Sequence, residues 1–344
     1  MKVVSCWLFV VGFLVAGCAS SKTTEERIPK ARSAITKTEM ELWNSKSFKK
    51  RFAESYIAAT DVEPRVTVIE RDDLMKVQEL IGADQMDEAA RLLEKNRSEA
   101  ASAVYDFMLG NIYLQQEKLN EAVAAYQTAV EKYSKFRRAH RNLGLIHVQQ
   151  GEFEKALPAL TKSIELGDTE SLTYGLLGFA YSSVDNHLAA ESAYRQAVLL
   201  DPATMDWKMG LARSLFKQQR YAEAVALCSS LIDAAPEQAD LWLLQANAYV
   251  GLKQPLKAAE NYEMVDQLDK STVDSLNMLG DIYVNEELYE MAVNAYIRAM
   301  EQNPDRNAER PLRACKVLVA RGALAETKML IERVEQLHES DLGR

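Results

Sequence analysis

The chain repeats itself every 34 residues, and few folds tolerate that period. A small residue stands at Gly110, Gly144, Gly178, Ala212, Ala246 and Gly280. Twelve positions beyond each lies an alanine: Ala122, Ala156, Ala190, Ala224, Ala258 and Ala292. Four further on come Tyr126, Leu160, Tyr194, Cys228, Tyr262 and Tyr296, and three after the small residue come Tyr113, His147, Tyr181, Leu215, Tyr249 and Tyr283. Within each half of the period the apolar residues recur at helical spacing. A short polar turn such as Gln150-Gly151-Glu152 divides the halves. Each period is therefore two antiparallel helices, with the small residues admitting close approach and the large ones filling the space beside them. Pro202, Pro236 and Pro304 stop the second helix of their repeats. One helix pair cannot bury its apolar face alone, so neighbours must stack into a solenoid.

This combination of period, residue type and repetition resembles the tetratricopeptide repeat family. Six repeats keep unbroken register over residues 103–306. The resemblance implies an all-α fold, a right-handed superhelical solenoid of helix pairs. One departure is the family's first-helix Trp or Leu, replaced here by Asp106, His140, Tyr174, Lys208, Trp242 and Leu276 in the successive repeats. Residues 70–102 read as a degenerate pair with a turn at Ala83-Asp84. Residues 307–344 read as a degenerate capping pair with one extra residue before Gly322 and a charged last helix.

The N-terminus carries a different signal. Lys2 is the only charge before Lys22, and Val3 to Gly17 are almost all apolar. Residues 1–17 have the length and charge pattern of a signal peptide and fall short of the roughly 20 apolar residues a membrane-spanning helix needs. Val15-Ala16-Gly17-Cys18 resembles the lipobox of bacterial lipoproteins. In that family cleavage precedes the cysteine, and its thiol and new amino group are acylated, palmitate being a typical chain. The resemblance thus implies a lipid on Cys18, and Ala19 in place of Asp favours the outer membrane, with the body facing the periplasm. Residues 18–37, rich in Ser, Thr, Lys and Glu, read as a flexible tether. Residues 38–69 read as a helical then extended segment: Phe48, Phe52 and Tyr56 form an aromatic stripe, and Val66-Thr67-Val68-Ile69 follows Pro64 as an extended run. Such a stripe must bury against something: the first repeats, the membrane surface or a partner.

Charge narrows the function. The chain carries a net −9, yet between Lys22 and Ile69 ten Lys/Arg face seven Asp/Glu. The acidic body argues against nucleic-acid binding, which needs a basic face. There is no Gly-rich phosphate loop, no His-Glu-x-x-His and no Cys-x-x-Cys. No enzyme activity, cofactor, metal or small-molecule substrate is expected. His140 and His147 share a helical face but sit at packing positions. Cys228 and Cys315 are expected to stay free thiols, because four helices separate them. Packed helices lie about 8–10 Å apart, and a disulfide needs Cα atoms within about 7 Å.

In the tetratricopeptide repeat family the first helices line a concave groove that binds peptides or partner helices. The resemblance assigns that role here to Phe107, Asn111, Arg138, Arg141, Phe179, Arg213, Asn247, Asn277 and Asp281. The arginines lie early and the acids, with Asp240 and Asp274, lie late. A partner segment is then mostly apolar, acidic toward the anchor-side repeats and basic toward the far end. The asparagines offer amides that can bridge a peptide backbone. The expected partners are envelope proteins, by analogy with pilotins, barrel-assembly lipoproteins and repeat proteins of TonB systems. The alternative is an anchored adaptor or regulator of cell-wall enzymes.

Overall fold

The computed structural model describes residues 63–302 and 309–342. Cys18, the tether and the aromatic stripe lie outside the described residues. Among the described residues there are sixteen helices and no strands. They come in sequential pairs: α1 (Val68–Gly82) and α2 (Met86–Asn96), α3 (Ala103–Gln115) and α4 (Leu119–Lys132), α5 (Arg137–Gln149) and α6 (Phe153–Glu165), α7 (Ser171–Ser183) and α8 (His187–Leu200). The series continues with α9 (Met205–Lys217) and α10 (Tyr221–Ala234), α11 (Ala239–Gly251) and α12 (Pro255–Gln267), α13 (Val273–Asn285) and α14 (Tyr289–Gln302), α15 (Glu309–Ala320) and α16 (Leu324–Leu342). Up to α14 each helix packs on the next, α14 packs on α16, and first helices also touch across repeats, as in α5–α7, α7–α9, α9–α11 and α13–α15.

The close approach inferred from the small residues is measurable. A Cβ built on Gly110 would sit 2.7 Å from the Tyr126 ring, and one on Gly144 2.5 Å from Leu160. Gly178 stands against Tyr194 and Gly280 against Tyr296 in the same way. The six alanines of the second helices are fully buried. Backbone contact at this distance is the reason the period tolerates nothing larger there.

The turn inside each pair is equally regular. Asp84, Glu117, Gly151, Asp185, Gln219, Lys253, Glu287 and Gly322 all adopt positive φ, between +57° and +81°. The N–H of the next residue then bonds back across the turn, as from Glu152 to the His147 carbonyl at 2.8 Å and from Gln254 to Tyr249 at 2.9 Å. This is the double-bonded helix end that a left-handed residue makes.

One expectation is corrected at the N-terminal side. Val68 and Ile69 are helical, not extended. Thr67 caps α1: its side chain accepts from the Glu70 N–H at 3.3 Å, and the Glu70 carboxylate accepts from the Thr67 N–H at 2.7 Å. That reciprocal pair outweighs the preference of two β-branched residues for a strand. Cys228 and Cys315 are free and buried, as the register implied.

Candidate binding face

The face in question is that of the first helices α3, α5, α7, α9, α11 and α13. Three residues expected to meet a partner are engaged within the array. The Tyr126 hydroxyl donates to Asn111 Oδ1 at 2.5 Å, and Asn142 Nδ2 donates to the same oxygen at 3.1 Å. The Tyr262 hydroxyl donates to Asn247 Oδ1 at 2.6 Å. The Tyr296 hydroxyl donates to Asp281 Oδ1 at 2.6 Å, while Arg310 pairs with the other oxygen at 3.3 Å. Burial pushes the Tyr126 and Tyr262 phenols up to about 12, so both stay donors at any physiological pH. Each clamp joins a first-helix Asn or Asp to a second-helix Tyr fifteen residues on. That spacing was present in the sequence as a signal, but it marks a locked pair.

The early, arginine-bearing part of the face is also closed. Arg138 lies over the Phe107 ring at 5.0 Å and pairs with Glu63 at 2.8 Å. Phe107 is itself buried, tilted against Phe136 at 4.7 Å and Tyr126 at 5.6 Å. Arg141 pairs with Glu170. The positive charge meant for acidic groups of a partner is neutralised within the chain. Asn277 on α13 is fully buried, and neither atom of its amide has a hydrogen-bond partner. Neither Phe107 nor Asn277 therefore lines an open surface.

The face opens on α7, α9 and α11. Phe179 is 47% exposed and rests edge-on against Phe153 at 5.6 Å. It borders a hollow of about 280 Å³ with Ser182, Trp207, Met209 and Arg213. Trp207 fits there because α7 has no side chain at Gly175, whose Cβ would fall 2.4 Å from the indole. Met209 is shared with a second hollow of about 370 Å³, completed by Glu237, Asp240, Leu243 and Lys270. Arg213 and Asp240 meet at 3.3 Å across the rim, both largely exposed. Asp206, Glu237 and Asp274 are exposed as well, against Arg213 and Lys270, so this half of the face is apolar in its hollows and carries more acid than base at its edge.

Among the described residues no cluster of three His, Cys, Asp or Glu is placed to hold a metal. His147 bonds Glu152 at 2.8 Å and His140 bonds the Ser134 carbonyl at 2.9 Å, so both serve turns and packing.

The profile of the tetratricopeptide repeat family matches residues 107–170, 180–239 and 273–306. The solved structure of YrrB, described as a TPR protein with an unusual peptide-binding site, is 19% identical. It covers 54% of this chain and 94% of its own, with a TM-score of 0.50, a likeness of fold alone. The TPR repeat-containing protein YpiA of Bacillus subtilis (strain 168) is 24% identical over 195 residues, 56% of this chain and 45% of that protein. Intraflagellar transport protein 70A of Xenopus laevis is 25% identical over 154 residues, 45% of this chain. The chain spans only 23% of that last relative and less than half of the former.

Proposed function

The chain is a tetratricopeptide repeat protein, and from that premise we propose that it is a lipid-anchored scaffold that assembles envelope proteins. Repeat arrays of this family bind proteins or peptides. The observation that carries the reading is the open stretch on α7, α9 and α11, where Phe179, Met209 and Leu243 border hollows that no neighbouring repeat fills. A partner segment fits it by inserting apolar side chains into the two hollows and setting basic groups against Asp206, Glu237 and Asp274. Acidic groups are not required at the early repeats, because Arg138 and Arg141 are already paired. Rim charges of this kind speed encounter and lose force with salt.

The anchor rests on the Val15-Ala16-Gly17-Cys18 junction. Acyl chains on Cys18 hold the protein at the periplasmic face of the outer membrane, since each buried CH₂ contributes about 0.8 kcal/mol. The test uses the full chain in cells. The wild type should fractionate with the outer membrane and carry the lipid mass on Cys18, and Cys18→Ser should be soluble. Phe179→Ala with Met209→Ala on the anchored chain should cut co-purification of its partner about tenfold, as loss of an aromatic anchor does. An unmodified Cys18, or co-purification untouched by the double substitution, refutes the corresponding half.

A further inference from the structure

The array is one interface used repeatedly. Tyr126, Leu160, Tyr194, Cys228, Tyr262 and Tyr296 are each 4% exposed or less. The following repeat supplies part of that cover, as Gly210 does for Tyr194, where a Cβ would sit 2.4 Å from the ring. At the last pair the turn bond from Ala323 to the Leu318 carbonyl, 2.9 Å, is the counterpart of that from Leu288 to Tyr283, 2.8 Å. Ile331 on α16 thus takes the place of Tyr296 on α14, and it is 39% exposed. Leu312 takes the place of the fully buried Asn277 and is 45% exposed. Val319 and Leu324 stand open beside them. The Tyr296 row, which every inner repeat seals, is bare at Ile331.

Charges are set into this face in a particular order. Leu324, Lys328, Ile331 and Glu335 recur at steps of four, three and four, so they share one stripe of α16. Lys328 and Glu335 are exposed at the positions that the buried Val293 and Met300 hold on α14. Ile331 lies midway between them. Lys328 has only a weak in-helix pairing with Glu332, at 3.6 Å on the surface.

We propose that this end face joins two copies of the chain about a twofold axis, with α16 antiparallel to its counterpart. The stripe is self-complementary in that arrangement alone. Ile331 falls on the axis against its own copy, and each Lys328 faces the other chain's Glu335. A twofold contact uses the same patch on both chains and closes. Within the chain α16 already packs on another second helix, α14. This inference does not rest on the reading of the α7–α11 face.

The test is cross-linking of the full chain in intact cells with a short bismaleimide, the buried Cys228 and Cys315 being shielded from it. Ile331→Cys should give a dimer of this chain. Met329→Cys, exposed on another side of α16, should not. In the Ile331→Cys background, Lys328→Glu and Glu335→Lys should each lower the dimer about tenfold, and the two together should restore it. All four positions are exposed, so melting temperature should stay constant across the set. A monomer only, a cross-link only to another protein, or a charge exchange that fails to restore the dimer overturns the proposal.

Discussion

The left-handed turn residue is the place to test the repeat register by substitution. Six of the eight turn positions hold a residue other than glycine at positive φ, Lys253 at +57° among them. An L side chain in that region costs about 1–2 kcal/mol. Glycine carries no such penalty but loses more chain freedom on folding, about 0.5–1 kcal/mol. Lys253→Gly should therefore stabilise by about 0.5–1 kcal/mol. Gly151, at +74°, offers the reverse change. A Cβ added at Gly151 has nothing within 4 Å, so Gly151→Ala is a backbone effect free of any clash, and it should destabilise by a similar amount. For a domain of this size 1 kcal/mol moves Tm by roughly 2–4 °C. Thermal melts followed by circular dichroism should then show opposite shifts of about 1–4 °C. Because repeat arrays unfold as nearest-neighbour sums, hydrogen exchange should move most in α11–α12 for one variant and α5–α6 for the other. Shifts of the same sign, or a Lys253→Gly protein that melts earlier, would show that the left-handed turn carries no such strain.

Other consequences are independent of the turns. Gly144→Ala forces a Cβ to 2.5 Å from Leu160 and 3.3 Å from its backbone nitrogen; urea melts should show about 1–3 kcal/mol lost. Burial alone would raise the Glu191 carboxyl, but hydrogen bonds from Gln218, Arg220 and Arg195 outweigh it and hold the group below its ordinary value. Its contribution is present above the unfolded pKa and lost as pH falls through the folded one, so acid should destabilise the wild type more steeply than Glu191→Gln in melts from pH 6 to about pH 3. Burial pushes the Cys228 thiol up to about 12 and raises Cys315 as well; thiol reagents should label neither in the folded protein and both after denaturation without reductant.

The helices were legible because the period repeats the same constraint six times, and a Gly or Ala pressed against a large residue leaves little room for error. The N-terminal start of α1 was misread because Val66–Ile69 looks like a strand by composition, while the cap that overrides it lies in two residues, Thr67 and Glu70. Position along a first helix placed Asn111, Asn247 and Asp281 on the working face but did not say what they bond. Their tyrosine partners sit on the other helix of the pair and already donate to the side-chain oxygen that a peptide N–H would use. The pairing of Arg138 with Glu63 joins residues 75 apart and has no local signature. The last helix read as a charged cap, and its charges are there. That Ile331 is open beside them depends on the helix that does not follow among the described residues, which no pattern within α16 records.

In the proposed function the α7–α11 stretch is the working surface and is turned to the periplasm. The most direct measurement is photo-cross-linking in living cells from single sites on the full chain. Probes at Phe179, Met209 and Leu243 should capture the same envelope protein. Probes at Phe107, buried, and at Ser192, exposed on α8, should capture none of it. Capture of a cytoplasmic protein, or capture from Ser192 with none from the three groove sites, would rule this surface out.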